Sequence, residues 1–267
     1  MAEAGGTGPL DRSPELSGEL DRIEAAVQAG HADLKALGFW RIVAKVKPDR
    51  LLVDRYADQI GRIDTAAFRQ FARFRLPVWA GNAILLTGAA IGLGAAIVAH
   101  AVSSATFAGL LLVAAGATWT VALHSPTHWF IGSLVSIRFT DYFVGGPPPP
   151  RPGLKSDYAS YLRADPGSRA WMHASGAIAT KLAPFFALAF WPGSGAPWWS
   201  AIALIAIGVL SIGTDIAFSV KTSDWKKFLR ERAVARERTR QGSRPRAAAA
   251  SAPILPREPP GSSGTPG

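Results

Sequence analysis

Hydrophobic and polar positions follow three regimes along the chain. Residues 1–14 are small and polar, and no basic stretch leads into an apolar one, so neither a cleavable signal peptide nor fixed structure is expected there. From 15 to 77 apolar residues recur at three- and four-residue spacing: Leu20, Ile23 and Val27, then Leu34 and Leu37, then Leu51, Leu52, Tyr56, Ile60 and Ile63 after Pro48. That period collects them on one face of amphipathic helices. Acids nearly balance bases in this segment, and we expect two or three helices capping a membrane core from the cytoplasmic side.

Four apolar segments follow, 78–100, 106–123, 174–191 and 198–219, and the only charges in them are Lys181 and Asp215. At about 1.5 Å per helical residue, each matches a hydrocarbon layer about 30 Å thick. The pattern predicts an all-α, polytopic membrane protein. Its parts are a disordered stretch (1–14), an amphipathic helical segment (15–77), a four-helix transmembrane core (78–219) and a basic C-terminal tail (220–267). The short links between paired spans carry no Lys or Arg, whereas residues 1–77, the 138–172 loop and the tail carry 12, 5 and 11. The positive-inside rule places both termini and that loop in the cytoplasm. Trp79, Trp171, Trp191, Trp198, Trp199 and Trp225 fall near the expected boundaries, as an aromatic belt does.

Composition narrows the class further. With 48% apolar and 18% charged residues, the chain is neither a soluble enzyme nor a secreted mini-protein. The absence of cysteine excludes disulfides, thiolate ligands and a Cys nucleophile. The net charge of +10 is concentrated in the tail, where 11 bases face 4 acids from residue 220 onward. Anionic lipid headgroups, attracting each basic residue by about 1 kcal/mol, are the expected partner. No nucleic-acid recognition motif accompanies the charge, and none is expected to bind. Within the loop, GGPPPPRPG at 145–153 reads as a stiff polyproline II spacer. Gly88 and Gly92 form a GxxxG pair, which suits close helix approach within the chain or between copies.

Polar residues at membrane depth are costly and mark candidate chemistry. They are His100, His124, His128, His173, Lys181 and Asp215. In HSPTHWFIG, His124 and His128 share a face if the helix is continuous. Pro126 opens a second option, in which span two ends near His124 and a new helix starts with Ser125 as N-cap. His124 and Asp215 lie 18 and 17 residues beyond the starts of two parallel spans, hence at one depth on the cytoplasmic side, and His173 opens span three there. Two imidazoles and a carboxylate form a known zinc set with an open position. The expected ligands are therefore His124, His128, Asp215 and His173, and the expected ion is Zn2+. Tyr158, Tyr161, Arg163 and Arg169 fall nearby, as interfacial anchors or as a grip on an anionic group. A Lys181–Asp215 ion pair within a structural polar layer is the competing expectation. Haem or quinone binding and an ion pathway are further ones.

From Thr106 to Ser219, the HxxxH pair His124/His128, an intervening span and Asp215 on a later span resemble the core of site-2-type intramembrane zinc metalloproteases. The resemblance implies a metal-dependent membrane hydrolase acting on a membrane-protein substrate. It implies His124, His128 and Asp215 as ligands and His173 as a ligand or proton shuttle. The chain departs from the family at Ser125, where the water-activating glutamate stands, and in GTDIAF, where the family has Asp-Gly. The implied enzyme has an altered or lost catalytic base. The alternative is a non-enzymatic membrane scaffold or lipid-associated assembly protein.

Overall fold

The computed structural model describes residues 13–145, 151–217 and 223–250, which are mostly helical. The N-terminal periodicity folds as α1 (Ser13–Gln28), α2 (Phe39–Val46) and α3 (Arg50–Phe71). Leu20, Ile23 and Val27 of α1 join Phe39 and Ile42 of α2 and Ile60 and Ile63 of α3 in one buried cluster. The helical stripe thus becomes a three-helix core. The carboxylate of Asp49 accepts from the Leu51 and Leu52 amides, satisfying donors that the first turn of α3 leaves free.

Strands interrupt the all-α expectation. β1 (Ala72–Pro77), β2 (Phe139–Gly145) and β3 (Arg151–Ser156) form an antiparallel sheet in the order β1-β2-β3. Leu76 pairs with Tyr142 and Phe143 with Gly153. The partners β1 and β2 come from opposite ends of a long membrane hairpin, so single-chain periodicity carries no sign of their pairing. Residues 151–153 of the expected polyproline stretch belong to β3, and 146–150 lie outside the described residues. Tyr142 anchors the sheet to the membrane helices. A Cβ at Gly81 would come within 2.1 Å of its ring, and its hydroxyl donates to Asn82 Oδ1 at 2.8 Å.

The four segments expected to span a membrane fall on α4 (Val78–Val98), α5 (Ala105–Ala122), α8 (Pro166–Leu188) and α9 (Trp198–Ala217). Three helical stretches are long and apolar enough to cross a membrane: Val78–Val98, Ala105–Ala122 and Trp198–Asp215. Only 22, 39 and 17% of these stretches is buried within the protein, so most of their apolar surface faces outward. The expected span 174–191 falls on α8, which begins earlier and carries Arg169, His173 and Lys181, so its apolar run is shorter. The GxxxG glycines are occupied within the chain. Gly92 lies against the Trp119 indole, whose N–H donates to the Ala89 carbonyl at 2.8 Å, and Gly88 faces Ala122.

Three further helices complete the described residues. α6 (His124–Leu134) follows α5 after a single break at Leu123, α7 (Tyr158–Arg163) packs on α3, and α10 (Asp224–Ala250) runs along α8. Gly61 permits the α3–α7 approach, since a Cβ there would lie 2.9 Å from Ala159 Cβ. Leu162 of α7 completes the N-terminal core.

Candidate metal centre

Pro126 sets the local geometry. The helix does not run unbroken from α5 through both histidines; it restarts at His124, with Pro126 buried in the first turn, where a missing N–H costs nothing. Leu123, rather than Ser125, occupies the N-cap position. Both histidines then lie on α6, and their rings meet edge to face with centroids 4.8 Å apart.

Each ring is held by its Nδ1. His128 Nδ1 lies 2.6 Å from the Met172 carbonyl, which can only accept, so Nδ1 carries a proton and Nε2 is the atom left facing Asp224. His124 Nδ1 lies 3.0 Å from Thr180 Oγ1, whose own hydroxyl donates to the Gly176 carbonyl at 2.9 Å. Thr180 therefore accepts, and His124 has the same tautomer. Both Nε2 atoms point at one carboxylate oxygen: Asp224 Oδ2 is 3.4 Å from His124 Nε2 and 3.2 Å from His128 Nε2. Two Nε2 atoms and an anionic oxygen converge, a contact that calls for a positive charge, either a proton on a ring or a metal ion between them. The three ligand atoms lie within 4.8 Å of one another, and the group suits a metal ion.

Electrostatics keep His124 neutral and Asp224 ionised, with His128 as the ring that carries the charge when no metal is bound. Burial, then a protonated His128, lowers the His124 pKa; the Asp224 charge opposes this without reversing it. Burial acts to raise the Asp224 carboxyl, but the hydrogen bond and charge of the protonated His128 and the ammonium of Lys227 hold it well below the usual carboxylate range. A neutral imidazole and an ionised carboxylate are what metal ligation requires. His128 also depends on a glycine, since a Cβ at Gly176 would lie 2.2 Å from its Nε2.

The carboxylate at the centre is Asp224, the first residue of α10. Asp215 sits elsewhere and pairs with Lys181 at 3.2 Å between α9 and α8. His173 also stands off from the group: its Nε2 is 2.9 Å from the Tyr161 hydroxyl. That hydroxyl donates to Glu231 at 2.7 Å. His173 nonetheless lines the same cavity of about 660 Å3 as His124, His128 and Asp224. His100 lies at the far end of α4, away from the group.

A second polar cluster lies one step along α10. The Glu231 carboxylate receives Arg169 Nε at 2.8 Å, the Tyr161 hydroxyl and the Lys47 ammonium. Arg169 is fully buried and also donates to the carbonyls of Tyr161, Leu162 and Ala164. It is thus an internal bracket rather than a headgroup anchor. Arg238 donates to the Lys47 carbonyl at 2.8 Å, closing the end of α2. The one available sequence signal for Asp224 was its spacing: Asp224, Glu231 and Arg238 recur every seven residues within an otherwise basic helix. A seven-residue repeat keeps them on one face. Ser223 caps the start of α10, its Oγ accepting from the Lys226 amide at 3.3 Å.

Compared with known proteins, the chain matches no family model, no curated protein and no solved structure.

Proposed function

We propose that the chain is a multi-pass membrane protein with a divalent-cation centre of the zinc type at His124, His128 and Asp224, serving metal-assisted hydrolysis at the cytoplasmic face of the membrane. The observation that carries this is the pair of Nδ1–H groups held by Met172 and Thr180, which aims both Nε2 atoms at one carboxylate. Metal-bound histidines characteristically donate their other ring N–H to such partners. Three protein ligands leave a fourth position for water, whose pKa a bound zinc lowers toward 7. Ser125 lines the cavity but cannot take that proton, and Asp224 is the only acid among the lining residues. His124, with its side chain 38% exposed, leaves the centre open for the proton to pass to solvent.

Topology supports the assignment to one face. Lys47 of the N-terminal unit and Glu231 of α10 are in direct contact, so the two ends of the membrane core emerge on the same side. An even number of crossings lies between them. With α4, α5 and α9 crossing, α8 crosses as well, its Lys181 paired with Asp215 on α9. The excess of Lys and Arg on this side makes it cytoplasmic and suits anionic headgroups.

A non-enzymatic scaffold is the second reading, and one observation favours it. Lys227 Nζ donates to Asp224 Oδ1 at 2.9 Å, so the carboxylate has a cationic partner without any metal. Elemental mass spectrometry on detergent-purified protein separates the two. Near one zinc per chain in the wild type and in Asp215→Ala, lost in His124→Ala, His128→Ala and Asp224→Ala, supports the metal centre. A wild type still metal-free after zinc reconstitution overturns it and leaves a structural polar layer.

A further inference from the structure

The lining of the cavity beside the centre is chemically divided. Leu85 of α4, Val121 of α5 and Phe139 and Leu154 of the sheet supply apolar side chains. Val121 lies on a candidate span, within one turn of its C-terminal end, and is 71% exposed. In a bilayer this lining side chain therefore reaches the boundary between acyl chains and headgroups. The polar part of the lining is His124, His128, Asp224 and Lys227, with Lys227 against Asp224. A divalent ion held by one carboxylate and two neutral imidazoles, with that ammonium beside it, leaves this part with an excess of positive charge.

A volume of about 660 Å3 is far larger than a metal-bound water requires and lies in the range of small-molecule sites. A pocket that joins apolar side chains, one of them exposed on a candidate span, to a cationic group is complementary to an anionic amphiphile. We propose that the cavity binds a single-chain acyl amphiphile bearing an anionic oxygen group, a carboxylate or a phosphate. Its chain lies along Leu85 and Val121, and its anionic oxygens lie at the metal and Lys227. This substrate class rests on the metal centre proposed above.

The test uses full-length zinc-loaded protein in phosphatidylcholine nanodiscs and a fluorescent medium-chain fatty acid as probe. Expected is saturable binding, displaced by lysophosphatidic acid but not by inorganic phosphate, and at least about tenfold weaker for the matching fatty alcohol, the usual scale for one lost charge-assisted contact. Val121→Trp, which adds bulk to the lining from an exposed position, and Lys227→Gln should each weaken the probe about tenfold while keeping one zinc per chain. Equal binding of acid and alcohol overturns the proposal. So does indifference to both substitutions in zinc-loaded protein, or equally effective displacement by an uncharged transmembrane peptide. Absence of zinc from the wild type would instead overturn the metal centre itself, so the two failures are distinguishable.

Discussion

Asp224 and Glu231 stand two turns apart on one face of α10 and complete two different polar clusters. Asp224 Oδ2 meets His128 Nε2 at 3.2 Å, and Glu231 Oε2 meets Arg169 Nε at 2.8 Å. Because Glu231 also holds Lys47, the helix that delivers the ligand is seated on the N-terminal unit. Glu231→Gln leaves two buried cations short of a counter-charge, which costs about 3 kcal/mol or more. Thermal unfolding in detergent should show that loss. A zinc titration against a chelating dye should show weaker binding, although Glu231 touches no metal ligand.

The same residue sets an acid limb of stability. Burial opposes ionisation of Glu231, yet Lys47, Arg169 and Tyr161 together hold its pKa below the ordinary 4.5. A folded-state pKa below the unfolded one means a contribution fully present above about pH 4.5 and lost as pH falls through the folded value. The stability difference between wild type and Glu231→Gln should therefore be constant near neutrality and shrink below pH 4.5. A difference that stays level down to the acid unfolding transition would contradict the charge-based role.

Thr180→Val tests the tautomer of His124. The substitution keeps the shape and removes the oxygen that accepts from Nδ1 at 3.0 Å. Removing such an outer partner typically weakens metal binding about 10- to 100-fold. Zinc affinity should fall on that scale while the melting temperature of the metal-free protein moves little.

Gly176→Ala attacks the site through volume alone. The new methyl would sit 2.2 Å from His128 Nε2, so the ring must leave its position or α8 must shift. Loss of zinc without loss of the helical circular dichroism signal is the expected outcome. Gly18→Ala is the opposite case. Nothing lies within 4 Å of its Cβ position inside α1, so the better helix former should raise stability by up to about 1 kcal/mol, read as a higher melting temperature.

The histidine pair was legible because four-residue spacing on a short helix is a local property, and it survives the break at Leu123 since both residues fall after it. The acid partner was not. Depth arithmetic along spans two and four pointed to Asp215, but it stands opposite Lys181, and an ion pair claims it. Asp224 looked like an ordinary first-turn acid of a basic helix. Only the fold of α10 against α8 brings it to α6. Likewise Arg169 read as a surface anchor, whereas the packing of α7, α8 and α10 encloses it completely.

The sequence by itself determined the apolar membrane segments, the amphipathic N-terminal helices and the histidine spacing, because each depends on residues a few positions apart and on transfer energies that act residue by residue. The tertiary structure alone decided the three-stranded sheet, the enclosure of Arg169 and the arrival of Asp224 at the two imidazoles, and between the two expectations for Asp215 it took the Lys181 ion pair. These contacts join segments distant in the chain. Their energies depend on orientation and shared burial, which local hydropathy and helical period do not encode.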